Sequence, residues 1–215
     1  MSIVKELPEL VIVAGPNGAG KSTTSLDILF DLGIKSFDFD LEFYSAWKKF
    51  EYDPFVENGV MESVSRLFEE RKQEAITSRS SFSFETNYNS SEVLTTVEEF
   101  KKEGFLIELI FIILETPEIA IDRVNDRVLR GGHFVDEQTI RRRFYDGLDL
   151  LDSTFMLFDM VSIYISQTNL ISSAVLIEPG INKVELFNPI PESVSIHLPK
   201  LKLFGGEEMT AGRIQ

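Results

Sequence analysis

Apolar residues run unbroken from Leu10 to Ala14 and then give way to a glycine-rich stretch. A helical pattern follows, KSTTSLDILFDL from Lys21. This order predicts a buried strand, a tight turn and a helix that Gly33 ends. From Lys35 to Phe43 the chain alternates, with Phe37, Phe39 and Leu41 against Asp38, Asp40 and Glu42. That predicts a second strand, alone or running into a loop. Val60, Val64, Leu67, Phe68 and Ala75 recur at helical spacing and predict a long amphipathic helix over about 57–78. SFSFE (81–85) reads as a third strand. Asn89 followed three residues later by Glu92 has the form of a helix cap, opening a helix to about Glu103 that Gly104 stops.

Phe105 to Leu114 is β-rich, interrupted only by Glu108, and predicts an inner strand. Pro117 suits the first position of a helix running to Arg130. Gly131-Gly132 breaks the chain, and another helix runs from about Glu137 towards Asp152. After Met160 short β-like pieces (VSIYIS, SAVLIE, KVELFN) predict a strand and then a hairpin turning at Gly180-Ile181-Asn182. Alternating strands and helices predict an α/β fold, a parallel sheet flanked by helices, with a small C-terminal β hairpin. The expected organisation is one domain over 1–200 and a loose tail over 201–215. Ligands of such sheets bind beyond the carboxyl ends of the strands.

The chain has 215 residues and no cysteine, which excludes disulfides, thiolate nucleophiles and cysteine metal sites. With two histidines, a histidine-rich metal centre is excluded too. The net charge of −14 argues against general nucleic-acid binding. No apolar span is long enough for a membrane helix, and Glu6 and Pro8 interrupt the start where a signal peptide would be apolar. The expectation is a soluble, cytoplasmic protein without nucleic-acid or membrane partners.

Within this acidic chain, Gly15-Pro16-Asn17-Gly18-Ala19-Gly20-Lys21-Ser22 fits G-x-x-x-x-G-K-[ST]. Such glycines turn backbone N–H groups inward around phosphate oxygens, and the following helix adds its dipole. Lys21 supplies a point charge, Ser22 can hold Mg²⁺, and Thr23 continues the cradle. Four fixed positions arise by chance in about one chain of this length per hundred, and the flanking strand and helix lower that further. A guanine-reading N-K-x-D and a transporter LSGGQ are both missing from the sequence. A small-molecule kinase or related phosphotransferase remains.

Arg123, Arg127 and Arg130 share one helix face at spacings of four and three. Gly131-Gly132-His133 and Arg141-Arg142-Arg143 follow, so six arginines meet only Asp126, Asp136 and Glu137 in this window. Arginine binds phosphate in a fork and keeps its charge, as a closing lid over about 127–143 requires. The plainer alternative is a surface helix whose arginines pair with Glu118, Asp122 and Asp126. A kinase also needs a carboxylate to take the acceptor's proton. Asp38 and Asp40 end the second predicted strand, where capping is their plainer role; Glu85, Thr86 and Asn87 follow the third, where a polar loop is the alternative. Asp40 is the preferred base, with Asp38, Glu85, Thr86, Asn87 and His133 on the acceptor side. Lys21, Arg127 and Arg143 complete the catalytic set, and Arg123 and Arg130 join the nucleotide-binding cations.

AGPNGAGKST, FDFDLE, FSFETN, ETPEIAIDRVNDRV and GGHFVDEQTIRRRF, in that order over about residues 8–150, resemble the zeta-toxin-like kinases, most closely their compact branch. The resemblance implies a P-loop, nucleotide-kinase-like fold using ATP with Mg²⁺. It also implies transfer to a hydroxyl of a nucleotide sugar, UDP-N-acetylglucosamine in the characterised toxins, and an antitoxin partner. By motif it implies ATP contacts for Lys21 and Ser22, the base role for Asp40, the substrate side for Glu85 and Thr86, and lid roles for Arg127 and an arginine of 141–143. A nucleotide-binding switch that acts through a protein partner with little turnover is the alternative, and Asp40→Ala separates the two.

Overall fold

The computed structural model describes residues 7–30, 33–167 and 170–206. In chain order the elements are β1 (Glu9–Ala14), α1 (Lys21–Ile28), β2 (Phe37–Asp38), α2 (Phe39–Lys48), α3 (Glu57–Ser78), β3 (Phe82–Thr86), α4 (Val93–Lys102) and β4 (Leu106–Ile113). They continue with α5 (Pro117–Leu129), α6 (Glu137–Thr154), β5 (Met160–Ser166), β6 (Ile171–Glu178), β7 (Lys183–Leu186), α7 (Glu192–Ser195) and α8 (Pro199–Gly205). The strands form one sheet of order β2-β3-β1-β4-β5-β6-β7. The first five run parallel, and β6 and β7 are antiparallel.

β1 lies between β3 and β4, and Leu10 to Ala14 are fully buried. A strand covered on both faces gains from a continuous apolar run, which explains LVIVA and the run in β4. Glu108 is the polar interruption of β4 and accepts a hydrogen bond from Ser162 Oγ on β5. The order of connections reverses at β1, because β3 lies to one side of it and β4 to the other. A crevice therefore opens at the carboxyl end of β1.

The predicted second strand is corrected: only Phe37–Asp38 pair with β3, and the chain turns at once into α2. Asp38 is the N-cap, its carboxylate accepting from Leu41 N–H, and Asp40 lies in the first helical turn. Phe43 packs with Val60 and Val64 of α3, and these contacts favour the helix over continued alternation. The expected Asn89 cap is also corrected. Glu92 holds the cap position of α4, and Ser90 Oγ accepts from Glu92 N–H. α1 ends at Ile28, before Gly33.

The hairpin turns through Pro179–Ile181 to Asn182, whose φ of 53° is left-handed. Residues 199–205, partly placed in the loose tail, are helical. The buried Asp152 carboxylate accepts from Lys200 and Leu201 N–H, and Leu201 is the buried residue of α8. The rest of the expected tail, 207–215, lies outside the described residues.

Candidate active site at the carboxyl end of the sheet

The turn after β1 follows a path that side chains would obstruct. A Cβ on Gly15 would lie 2.4 Å from the carbonyl oxygen of Ile112, so only glycine lets the turn pass this close to β4. Gly20 is the N-cap of α1 and places no side-chain oxygen over the first turn, leaving that helix end open to an anion. Lys21 folds back over the turn. Its Nζ donates to the carbonyls of Gly15 (2.9 Å) and Pro16 (3.2 Å) and to Asn87 Oδ1 (3.0 Å). Burial lowers this ammonium to about 8, against the opposing pull of Glu85, Asp40 and Asp38. An arriving phosphate oxygen would favour its charged form.

Parallel pairing sets Asp38 beside Glu85, one strand further in. Both carboxylates reach Ser22, with Oγ 3.0 Å from Asp38 Oδ2 and 2.8 Å from Glu85 Oε2. One hydroxyl proton serves two acceptors here. Ser25, one turn along α1, donates to the other oxygen of Glu85 at 2.8 Å. Burial raises the Glu85 carboxyl above its ordinary range, the Ser22 hydrogen bond draws it back, and Asp38 adds to the rise. A hydroxyl between two carboxylates is a hard-oxygen donor set that fits Mg²⁺. Among the described residues no group of three or more His, Cys, Asp or Glu is placed to hold a metal. That composition suits an ion carried in largely by phosphates and water.

The arginines divide. Arg143 Nη1 donates to Asn17 Oδ1 of the phosphate loop at 3.3 Å. Arg127 Nη2 is 3.0 Å from His133 Nε2, and the same His133 nitrogen is 3.7 Å from Asp40 Oδ2. Arg127 has only donors to offer, so Nε2 accepts from it, and burial, reinforced by Arg127, lowers the His133 pKa. Tyr44 stacks on His133 with centroids 4.3 Å apart. The segment after α5 thus bridges Arg127 to Asp40 on α2.

Arg123, expected among the nucleotide-binding cations, lies between the phosphate loop and the end of β5. Its guanidinium donates to Gly18 O (3.2 Å), Ser166 Oγ (2.7 Å) and Gln167 O (2.7 Å). It braces the phosphate loop against the end of β5. Arg130 is exposed at the end of α5. Glu118, offered as a partner for the α5 arginines, pairs instead with Arg141 across to α6.

A cavity of about 500 Å³ opens beside Lys21 and is lined by Asp38, Asp40, Glu85, Thr86 and Asn87 together with α3 and α4 residues. The structure therefore brings the expected acceptor-side groups together, with His133 at Asp40's flank. Sequence reasoning missed Ser25, although three residues after Ser22 places it on the same helix face. It missed Tyr44, which lies one residue beyond the alternating stretch 35–43 and is carried by α2 together with Asp40.

A glycine-rich loop between a buried parallel strand and a helix, with a lysine and a hydroxyl at its end, defines a P-loop protein of the kinase-like fold class. The zeta toxin family model matches residues 43–175, more than half of the chain, and the protein belongs to that family. An uncharacterised protein of Haemophilus influenzae is 29% identical over 70 residues, covering 33% of this chain and 50% of that relative. The chain thus spans half the length of the curated relative it matches. The PezAT chromosomal toxin–antitoxin system of Streptococcus pneumoniae is similar in structure, with a TM-score of 0.61 and 13% identity over 93% of this chain and 88% of that one. AvrRxo1-ORF1:-ORF2 with ATP aligns with a TM-score of 0.60 and 12% identity over 95% of this chain and 65% of that one. At these identities the structural likeness shows the fold alone.

Among the described residues no helix is long and apolar enough to cross a membrane.

Proposed function

We propose that the protein is a kinase that transfers the γ-phosphoryl group of ATP to a hydroxyl of a small molecule, with Mg²⁺. The observation that carries this reading is the convergence of Lys21, the Ser22–Asp38–Glu85 cluster and Asp40 on one crevice at the carboxyl end of β1. The cavity beside them has room for an acceptor. Family membership and the ATP-containing similar structure support the same reading.

In this mechanism the loop backbone and the N-terminus of α1 hold the phosphates, and Lys21 and Arg143 offset charge on the migrating group. Arg127 closes from the lid side. The acceptor oxygen attacks the γ-phosphorus, the bond to the β,γ-bridging oxygen breaks, ADP leaves, and the hydroxyl proton passes to Asp40. Ser22, with Asp38 and Glu85 through water, would hold Mg²⁺, which supplies charge neutralisation on the phosphate oxygens. Arg123 positions the loop and does not touch the reacting atoms.

The finer form of the reading takes UDP-N-acetylglucosamine as acceptor and an antitoxin as restraining partner. Family membership and a toxin–antitoxin system among the similar structures support the antitoxin part, and the acceptor rests on the motif resemblance alone.

Phosphorus-31 NMR of the protein with Mg-ATP and a panel of hydroxyl acceptors, UDP-N-acetylglucosamine included, tests the reaction. A new phosphate-ester resonance is expected, reduced about 100-fold or more in Asp40→Asn while ATP binding persists. Only slow ATP hydrolysis across the panel, or full transfer by Asp40→Asn, would contradict it.

A further inference from the structure

We propose that His133 is a positioning residue of this kinase: its ring nitrogen Nε2 holds the Arg127 guanidinium in place and keeps that cation from pairing with the base, Asp40. This deepens the kinase reading and rests on it. One atom carries the geometry. His133 Nε2 is 3.0 Å from Arg127 Nη2 and 3.7 Å from Asp40 Oδ2, so guanidinium and carboxylate flank a single nitrogen. Arginine can only donate, so this nitrogen carries no proton and has none to give to Asp40. The same Nη2 donates to the His133 carbonyl oxygen at 3.3 Å. Two acceptors of one residue therefore claim the end of the guanidinium nearest the base.

A direct pair between Arg127 and Asp40 is what this arrangement prevents. A carboxylate is a favoured partner of arginine, which can engage both of its oxygens with the guanidinium fork. Such a pair would impair both groups. It would stabilise Asp40 as an anion and so weaken its hold on the acceptor's proton. It would also turn Arg127 away from the donor's phosphates. Among the described residues no lysine or arginine pairs with Asp40, whose side chain is half exposed. Arg127 is not saturated where it lies. Among the described residues its buried Nε has no hydrogen-bond partner, and that donor suits a phosphate oxygen.

The ring is itself held. Tyr44 stacks on it with 13° between the two planes. Tyr44 follows Asp40 by four residues on α2, so the two share a helix face, and the element that presents the base also backs the histidine. The His133 side chain is only 17% exposed, unlike that of a solvated surface histidine. From the α5 side, Gly132 donates its N–H to the Arg127 carbonyl at 2.9 Å, which folds the chain back and delivers His133 to the guanidinium of the same arginine.

Two measurements on the full chain decide the point. In nitrogen-15 NMR at pH 7.5 the chain's two histidines are told apart with His133→Gln. The His133 Nε2 resonance should be that of an unprotonated nitrogen and should move in Arg127→Ala. A protonated Nε2, or one unmoved by Arg127→Ala, overturns the proposal while the kinase reading stands. The second measurement is phosphorus-31 NMR kinetics with Mg-ATP and UDP-N-acetylglucosamine, or another panel alcohol that yields a phosphate ester. His133→Phe keeps a ring against Tyr44 but no nitrogen, and should lower kcat about 30-fold with the KM for Mg-ATP changed less than about threefold. His133→Gln keeps an acceptor and should lose no more than about threefold. No loss in His133→Phe, or equal losses in the two variants, overturns the proposal. Transfer by the wild type to no member of the panel overturns the kinase reading and this proposal with it.

Discussion

Single residues in this protein act through what surrounds them more than through their type. Six arginines fall between 123 and 143, yet Arg123 is a brace on Gly18 and the end of β5, Arg141 is an exposed ion pair with Glu118, and Arg127 and Arg143 face the crevice. Spacing on a helix finds such a group but does not assign its members, because the acceptors that hold Arg123 come from β5 and the segment after it, more than 40 residues away in sequence. Glu108 shows the same dependence in the core. Burial pushes its carboxyl above the ordinary range, the Ser162 hydroxyl draws it back, and Glu9 adds to the rise. A carboxyl raised on folding holds its proton more tightly in the native state. Its native-state advantage is therefore full below the ordinary carboxylate range and is lost as pH rises through the raised value. Glu108→Gln keeps an acceptor for Ser162 without the buried charge. Urea unfolding should show the variant more stable than wild type at pH 7.5, with the difference gone near pH 4. An equal difference at both pH values would contradict this account of the strand.

At the level of elements, the segment from α5 to α6 is the part whose geometry most directly links the phosphate loop to the acceptor cavity. A Cβ on Gly132 would lie 2.5 Å from Arg127 Cγ and 2.9 Å from its carbonyl oxygen, so the glycine lets the segment fold back over Arg127. Gly132→Ala should displace His133 and the Arg127 guanidinium together and lower kcat by about 10–100-fold, with Mg-ATP affinity changed far less. Gly59→Ala, in open space on α3, is the control and should leave turnover unchanged. Equal kinetics for the two variants would show that the packed segment has no part in catalysis. The sequence showed much of this level plainly: the phosphate loop, the long α3, the inner strands and the glycine break before α6. It misled at Phe39–Phe43, because alternation over a few residues fits the end of a strand and the start of a helix alike. The contacts of Phe43 with Val60 and Val64, which settle the matter, are long-range. The cap of α4 was misplaced as well: Asn89 and Ser90 both line the cavity, and it is Ser90 Oγ that accepts from Glu92 N–H.

For the molecule as a whole, strand order creates the site. Asp38 and Glu85 become neighbours because β2 pairs with β3, and both meet Ser22 because β3 pairs with β1. A single sequence contains the residues but not this pairing, so the motifs were legible and their shared focus was an expectation drawn from topology. The charge distribution has the same character. A chain of net charge −14 repels phosphates over most of its surface, and the glycine loop, Lys21, Arg143 and the start of α1 form the local exception. Isothermal titration calorimetry of Mg-ATP into the full chain tests that exception most directly. The account predicts a single site that requires Mg²⁺ and weakens about 10–100-fold in a folded Lys21→Ala protein, the range expected for losing a charge-assisted contact. Heat of binding that is absent from well-folded wild-type protein, or unaltered by Lys21→Ala, would contradict it.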